Sequence, residues 1–223
     1  MNNEIITLIL RSTSFGDAHR IVTLLTDEGT KINAVAHNSR KSSKRFSGGL
    51  EPFDIGKATL KLSNSRGRSR SIIWSLESFL LTSPLPNLLP TLRTDLEAFI
   101  FGATLLEITE ALVVETETLP QSSYVVTESS QTETPFSLLI TALTKLSAPK
   151  LSSQSNSLER SKNTYFFIVN LLTVLGFLNR ESMPPRSLNG LLSLINEVED
   201  LIHRPLRTKP ELLTILKRVK LTH

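Results

Sequence analysis

Cysteine is missing altogether from these 223 residues. Its absence excludes a disulfide framework, a thiolate zinc site and a cysteine nucleophile, and it accords with a reducing compartment. Long apolar runs are missing as well. The longest, Tyr165 to Leu178, is interrupted by Asn170 and Thr173 and falls short of the ~20 residues that span a bilayer. Near the start, Ile5 to Leu10 is broken by Thr7 and flanked by Glu4 and Arg11, too short and wrongly flanked for a secretory leader. The expectation is a soluble cytoplasmic protein without membrane contact.

Catalytic patterns are equally scarce. Gly49 to Lys57 superficially suggests a phosphate loop, but six residues separate Gly49 from Gly56 where four are required, and Ala58 stands where a metal-binding hydroxyl belongs. His19, His37, His203 and His223 share no ligand spacing and have no triad pattern nearby. Glu107 and Glu110 share a helical face with Asp95 within reach, but no His joins them at the spacing of a carboxylate-bridged metal site. They read as a solvated acidic face. No catalytic residue, metal or cofactor is expected, and the chain does not read as an enzyme.

What is present is charge, unevenly placed. The formal net charge is +4. Residues 1–80 hold 12 Lys and Arg against 7 Asp and Glu, a net of +5, and residues 81–223 hold 13 against 14, a net of −1. In the window 85–135, Asp95, Glu97, Glu107, Glu110, Glu115, Glu117, Glu128 and Glu133 face a single Arg93. Basic front and acidic middle suggest two surfaces with separate tasks.

The first eighty residues read as strands. Ile5–Leu10, Arg20–Thr26, Lys31–His37, Phe53–Leu62 and Ser71–Leu76 are β-rich or alternating, punctuated by Ser14–Asp17, Asp27–Thr30 and Asn64–Gly67. Five short strands with one long connector after the third fit a small closed barrel, which removes exposed edges. Gly56 marks a bend or bulge at a barrel corner. From residue 84 the period becomes helical. Leu92, Leu96, Phe99, Ile100, Ala103 and Leu106 recur at three- and four-residue spacing. Pro135 opens a second helix through Leu146, and a third runs from Leu158 to Leu175, apolar on nearly all sides after Tyr165, with Gly176 at its C′ position. Ser187–Leu201 and Pro210–Val219 complete the helices, while 116–134 and 147–157 read as loops. The predicted class is α+β: a five-stranded closed barrel over 1–82, then an all-helical domain over 83–223, joined near Pro84–Pro90.

Two basic clusters mark the barrel. Arg40, Lys41, Lys44 and Arg45 sit in the connector, and Arg66, Arg68 and Arg70 on the turn before the last strand. Guanidinium groups on such loops suit phosphates, and aromatics suit base stacking. Phe53 and Trp74 read as core; Phe46, between Arg45 and Gly48, is the stacking candidate.

The order Phe15-Gly-Asp turn, Arg20-Ile-Val-Thr-Leu-Leu-Thr, Lys31-Ile-Asn-Ala-Val-Ala, basic connector and Arg45-Phe-Ser-Gly-Gly-Leu-Glu-Pro-Phe53 resembles the amino-terminal domain of the bacterial recombination mediator family RecO. The resemblance covers Ile5 to about Leu81; Leu172–Phe177 and Arg204–Leu213 are more weakly similar to the family's helical part. It implies an OB-fold barrel followed by helices, a bacterial, nucleoid-associated setting and a non-enzymatic role in recombinational DNA repair. That role comprises binding single- and double-stranded DNA, annealing complementary strands and helping load a recombinase onto DNA coated by single-strand-binding protein (SSB). The partners it implies are RecR and the acidic C-terminal tail of SSB. By position, its basic surface falls on Arg20, Lys31, Arg40, Lys41, Lys44, Arg45, Arg66, Arg68 and Arg70. Many members carry a four-Cys zinc module; here Asn179 to Ser187 passes on without one, so a zinc-free remnant is expected near 178–188. A pocket for the acidic tail is sought at Arg204, Leu206, Arg207, Lys209, Leu212 and Leu216, against the plainer reading of cations complementing a helix dipole. The alternatives are an OB-fold adaptor whose basic loops meet an acidic partner, and an RNA-binding protein, since residue patterns alone do not choose the sugar.

Overall fold

The computed structural model describes residues 3–42, 44–46, 50–62, 74–82, 88–116, 133–147, 153–179 and 183–220. The turn carrying Arg66, Arg68 and Arg70, the expected start of the fifth strand at 71–73 and the junction at 84–87 lie outside them. Five strands come first: β1 (Asn3–Phe15), β2 (His19–Thr26), β3 (Lys31–Ala36), β4 (Ile55–Leu62) and β5 (Trp74–Leu81). Six helices follow: α1 (Leu88–Thr94), α2 (Leu96–Leu112), α3 (Pro135–Ser147), α4 (Ser153–Val174), α5 (Leu188–Ile202) and α6 (Lys209–Lys220). The chain divides into two compact units, Met1–Pro84 with Val113–Phe136, and Leu85–Leu112 with Ser137–His223.

The strands close in the order β1-β2-β3-β5-β4, with β4 returning to β1. All pairings are antiparallel except β3 with β5, where Ala34 lies beside Trp74 and Val35 beside Ser75. This is the expected OB-fold barrel. β1 serves two neighbours because its register slips between Ile9 and Arg11. Before the slip it pairs with Ile55–Leu60 of β4; beyond it, Arg11–Phe15 pairs with β2 alone. Such a bulge bends a strand and lets a small sheet close. Gly56 is not at a bulge; that irregularity lies between Thr59 and Leu60. Gly56 is small because a Cβ there would stand 2.5 Å from the Leu80 carbonyl and 2.7 Å from the Phe79 ring.

The barrel core gathers Ile5, Ile9, Val22, Leu24, Ile32, Leu60, Trp74, Leu76 and Phe79. β5 runs to Leu81 rather than stopping at Leu76, since Phe79 is a core residue. β4 starts at Ile55, not Phe53, because Phe53 sits at φ +76° in a turn closed by the Asp54 amide on the Glu51 carbonyl. Val114–Thr116 runs beside the start of β3, with the Thr116 amide donating to the Lys31 carbonyl at 2.8 Å. That covers a stretch of β3 that β5 does not reach.

In the helical unit the predicted first helix is two. Asp95 separates α1 from α2 and caps the latter, accepting the Ala98 amide at 3.1 Å. The apolar phase also differs from expectation. Ala98, Phe101, Leu105, Ile108 and Leu112 are buried, whereas Leu96 is 72% and Phe99 45% exposed. Thr104 and Thr109 join the buried face because each hydroxyl returns to a backbone carbonyl one turn earlier, at 2.8 Å. α4 buries Tyr165, Phe167, Ile168, Leu171 and Leu172 but leaves Phe166, Asn170 and Val174 exposed, so an open stripe replaces the expected all-round burial. Gly176 ends it at φ +79°, with the Phe177 amide on the Leu172 carbonyl and its own amide on Thr173, a Schellman arrangement. No helix among the described residues is long and apolar enough to cross a membrane.

Candidate nucleic-acid interface

The connector between β3 and β4 is pinned at several points. Asn38 takes φ +55° and its amide donates to His19 Nδ1 at 3.0 Å. The Arg40 amide reaches the Ala18 carbonyl at 3.3 Å and the Lys41 amide the Asn38 carbonyl at 3.1 Å. Phe46, only 3% exposed, plugs the barrel beside Phe79, whose amide takes the Arg45 carbonyl at 2.8 Å. Leu50 is buried at φ +60°. Four cations therefore project from a fastened segment, which limits the entropy lost when they meet a ligand.

Their partners are neutral. Arg40 donates to Ser14 Oγ, and Arg45 to the His37 carbonyl at 2.7 Å and to Ser42 Oγ at 3.2 Å. Lys41 and Lys44 are exposed. Among the described residues none of the four is paired with a carboxylate. Neutral acceptors orient a guanidinium without cancelling its charge, so the field of the cluster is available to an anion.

Other expected site residues go elsewhere. Phe46 is a core residue, not a stacking surface; the bulk needed to fill the barrel end draws it inward, and Arg45 lies 5.0 Å over its ring. Arg20 is committed to the fold: its Nη1 reaches Glu51 Oε1 at 2.8 Å, the Leu50 carbonyl at 3.2 Å and Ser12 Oγ at 3.1 Å, tying the connector's end to β2. Lys31 begins the strand whose far end feeds the connector, roughly 17 Å of extended chain from Ala36. It does not join the cluster.

Sequence reasoning missed the aromatic face. Beyond the β1 bulge, Phe15 pairs with His19, Thr13 with Ile21, and Ile21 with Val35, all on the outer surface. Phe15 is 52% exposed and its ring centroid is 6.4 Å from that of His19, which meets His37 edge-on at 5.2 Å. Period-2 alternation outward from Val22 and Leu24 would have found Ile21 and His19, but the bulge reverses the phase of β1 and hid Phe15. Among the described residues no three His, Asp or Glu side chains converge as a metal site.

Comparison with known proteins falls on the same residues. The family model for the recombination protein O amino terminus matches residues 1–74, which contain the whole connector. A DNA repair protein RecO from Anaeromyxobacter sp. (strain Fw109-5) is 42% identical over 71 residues, 32% of this chain and 26% of that protein. One from Myxococcus xanthus is 52% identical over 46 residues, 21% and 19% of the two chains. Over its barrel, the chain is similar to RecO proteins. A RecO from Nocardioides sp. is 32% identical over 108 residues, 48% of this chain and 40% of its own length. The matched segments thus span between a fifth and two fifths of these RecO relatives.

The helical unit carries cations of a different kind. Glu107, 5% exposed, accepts the amides of Arg207 and Thr208 at 2.9 and 3.0 Å, the Arg207 Nε at 3.1 Å and the Thr208 hydroxyl at 3.0 Å. Arg204 Nη1 adds a contact at 3.3 Å. Burial pushes the Glu107 carboxyl up, but the Arg207 and Thr208 amides and side chains outweigh it and hold it below its ordinary 4.5. Lys209 binds Glu199 and Asn196. Leu206, Leu212 and Leu216 are buried. The patch expected to receive an acidic tail is internally neutralised and lacks an apolar surface, and the acidic face expected on α2 is partly interior: Asp95 is 8% exposed and held by Arg160 through both guanidinium nitrogens, at 2.6 and 3.2 Å.

A groove does open between α4 and the start of α5. Leu158, Tyr165, Phe166 and Leu191 line it, with Lys162 and Arg186 at its rim. Arg186 lies 5.2 Å over the Phe166 ring. The wall before α5 is set by Ser187, which caps the Gly190 amide at 3.1 Å, and by Pro185, whose carbonyl would collide with any Cβ at Gly190 at 1.8 Å.

Proposed function

We propose that the chain is a RecO-like recombination mediator. It binds single- and double-stranded DNA through the connector cations, anneals complementary strands by screening their mutual repulsion, and helps a recombinase load onto SSB-coated DNA in recombinational repair, with RecR as its companion. The observation that carries this reading is the set Arg40, Lys41, Lys44 and Arg45, fastened to a RecO-type barrel and without carboxylate partners among the described residues. Charges of that kind bind a phosphate chain irrespective of sequence, with an affinity that falls steeply with salt. Arg66, Arg68 and Arg70, which lie outside the described residues, are proposed from the sequence alone as further phosphate contacts. For the acidic SSB tail, the groove of Phe166, Arg186 and Lys162 replaces the Arg204–Leu216 patch: its cationic rim complements an acidic peptide.

The test is annealing of complementary oligonucleotides coated with SSB, run beside salt-titrated binding of single-stranded DNA, duplex and RNA. Accelerated annealing and a steep salt slope on both DNA forms are expected. Binding to an acidic peptide but to no DNA would replace this reading with that of an adaptor, and tighter binding to RNA would replace it with an RNA-binding role.

A further inference from the structure

Phosphate contacts alone do not distinguish a single strand from a duplex, yet the barrel presents rings as well as cations. Phe15 closes the β1–β2 hairpin opposite His19, and more than half of its surface is open. His19 is locked by the Asn38 amide on Nδ1, so in the neutral ring the proton resides on Nε2. His37, exposed at the end of β3, meets His19 edge-on. The cations are held close in the chain to these rings: Arg40 donates to Ser14, the residue before Phe15, and Arg45 donates to the carbonyl of His37. An apolar ring left in water beside fixed positive charge fits a ligand that carries anionic groups and flat unpaired faces on one chain. Single-stranded nucleic acid has both; duplex DNA hides its base faces.

We infer that Phe15, braced by His19 and flanked by His37, is a base-stacking site that gives the barrel its grip on single strands, alongside the phosphate contacts of Arg40 and Arg45. This rests on the DNA-binding reading above and deepens it by assigning strand discrimination to residues outside the basic clusters. Stacking of a base on an aromatic side chain is sequence-tolerant, as a mediator of arbitrary sequences requires.

The experiment uses the full chain and three probes of equal length: a mixed-sequence single-stranded oligonucleotide, the same strand built of abasic sites, and its duplex. Phe15→Ala is expected to weaken the intact single strand roughly tenfold, to leave abasic strand and duplex within twofold, and to keep the salt slope, since no charge is lost. Phe15→Trp is expected to restore binding. Phe15 is largely solvent-exposed, and unchanged thermal melting of Phe15→Ala verifies that the barrel is intact. An equal loss on abasic strand, or no loss on the intact strand while the parental protein binds it, overturns the stacking site and leaves the DNA-binding reading standing. A parental protein that binds none of the three probes removes both.

Discussion

The two groups of cations look alike in the sequence and differ in what surrounds them. Arg40 and Arg45 rest on two serine hydroxyls and a backbone carbonyl; Arg204 and Arg207 converge on the buried carboxylate of Glu107, Lys209 on Glu199, and Arg160 on Asp95. The first arrangement orients charge and keeps it available. The second spends it on holding helices together. A basic residue is therefore a binding residue only when its neighbours leave its field uncancelled, and that property belongs to tertiary structure.

The comparison breaks most visibly at Asp95. Asp95→Asn keeps the cap of α2 but leaves the buried Arg160 guanidinium with only the more distant Glu97 carboxylate, at 3.7 Å, which is expected to cost about 3 kcal/mol. Denaturant unfolding of the helical unit measures it. A loss under 1 kcal/mol would show that Arg160 is solvated and the pair dispensable. Next in size is joint replacement of Arg40, Lys41, Lys44 and Arg45 by Ala: DNA affinity at low salt is expected to fall roughly 100-fold and the salt slope on duplex by about three. The matching change of Arg204 and Arg207 to Ala is expected to leave DNA affinity within about twofold. Equal losses from both sets would erase the distinction between them.

Glu107→Gln tests the neutralised group by itself. Removing the charge while keeping the shape is expected to cost about 2 kcal/mol. Because the folded carboxyl lies below its ordinary 4.5, its stabilisation is fully present above that pH and is lost as pH falls through the folded value. Thermal melts from pH 7 to pH 3 should decline more in the parental chain than in the variant. Parallel curves would show that Glu107 holds no differential charge energy. The smallest expected effect is at the α4–α5 groove, where Phe166→Ala and Arg186→Ala should each weaken an acidic peptide by about five- to tenfold and spare DNA. Peptide titration by fluorescence anisotropy decides it; undiminished binding sends the tail elsewhere.

The barrel was legible because its signals are local. Val22 and Leu24 alternate with outward neighbours, turn residues separate the runs, and one long connector stands where an OB barrel needs it. Helix existence was legible for the same reason, as was the Gly176 stop. Phase was not. The bulge between Ile9 and Arg11 reverses which side of β1 faces out, and the break at Asp95 rotates the buried face of α2 away from Leu96 and Phe99. Phe46 shows the same limit: placed among cations it looks like a stacking ring, yet it fills the barrel end.

The sequence by itself determined the strand and helix content, the basic character of the connector and the resemblance to RecO, since periodicity, turn chemistry and motif order are properties of neighbouring residues. Only the tertiary structure decided which cations are offset by a carboxylate, which aromatic meets solvent and where a cationic groove opens. Those outcomes depend on contacts such as Arg207 with Glu107 or Asn38 with His19, between residues that the chain holds far apart until it folds.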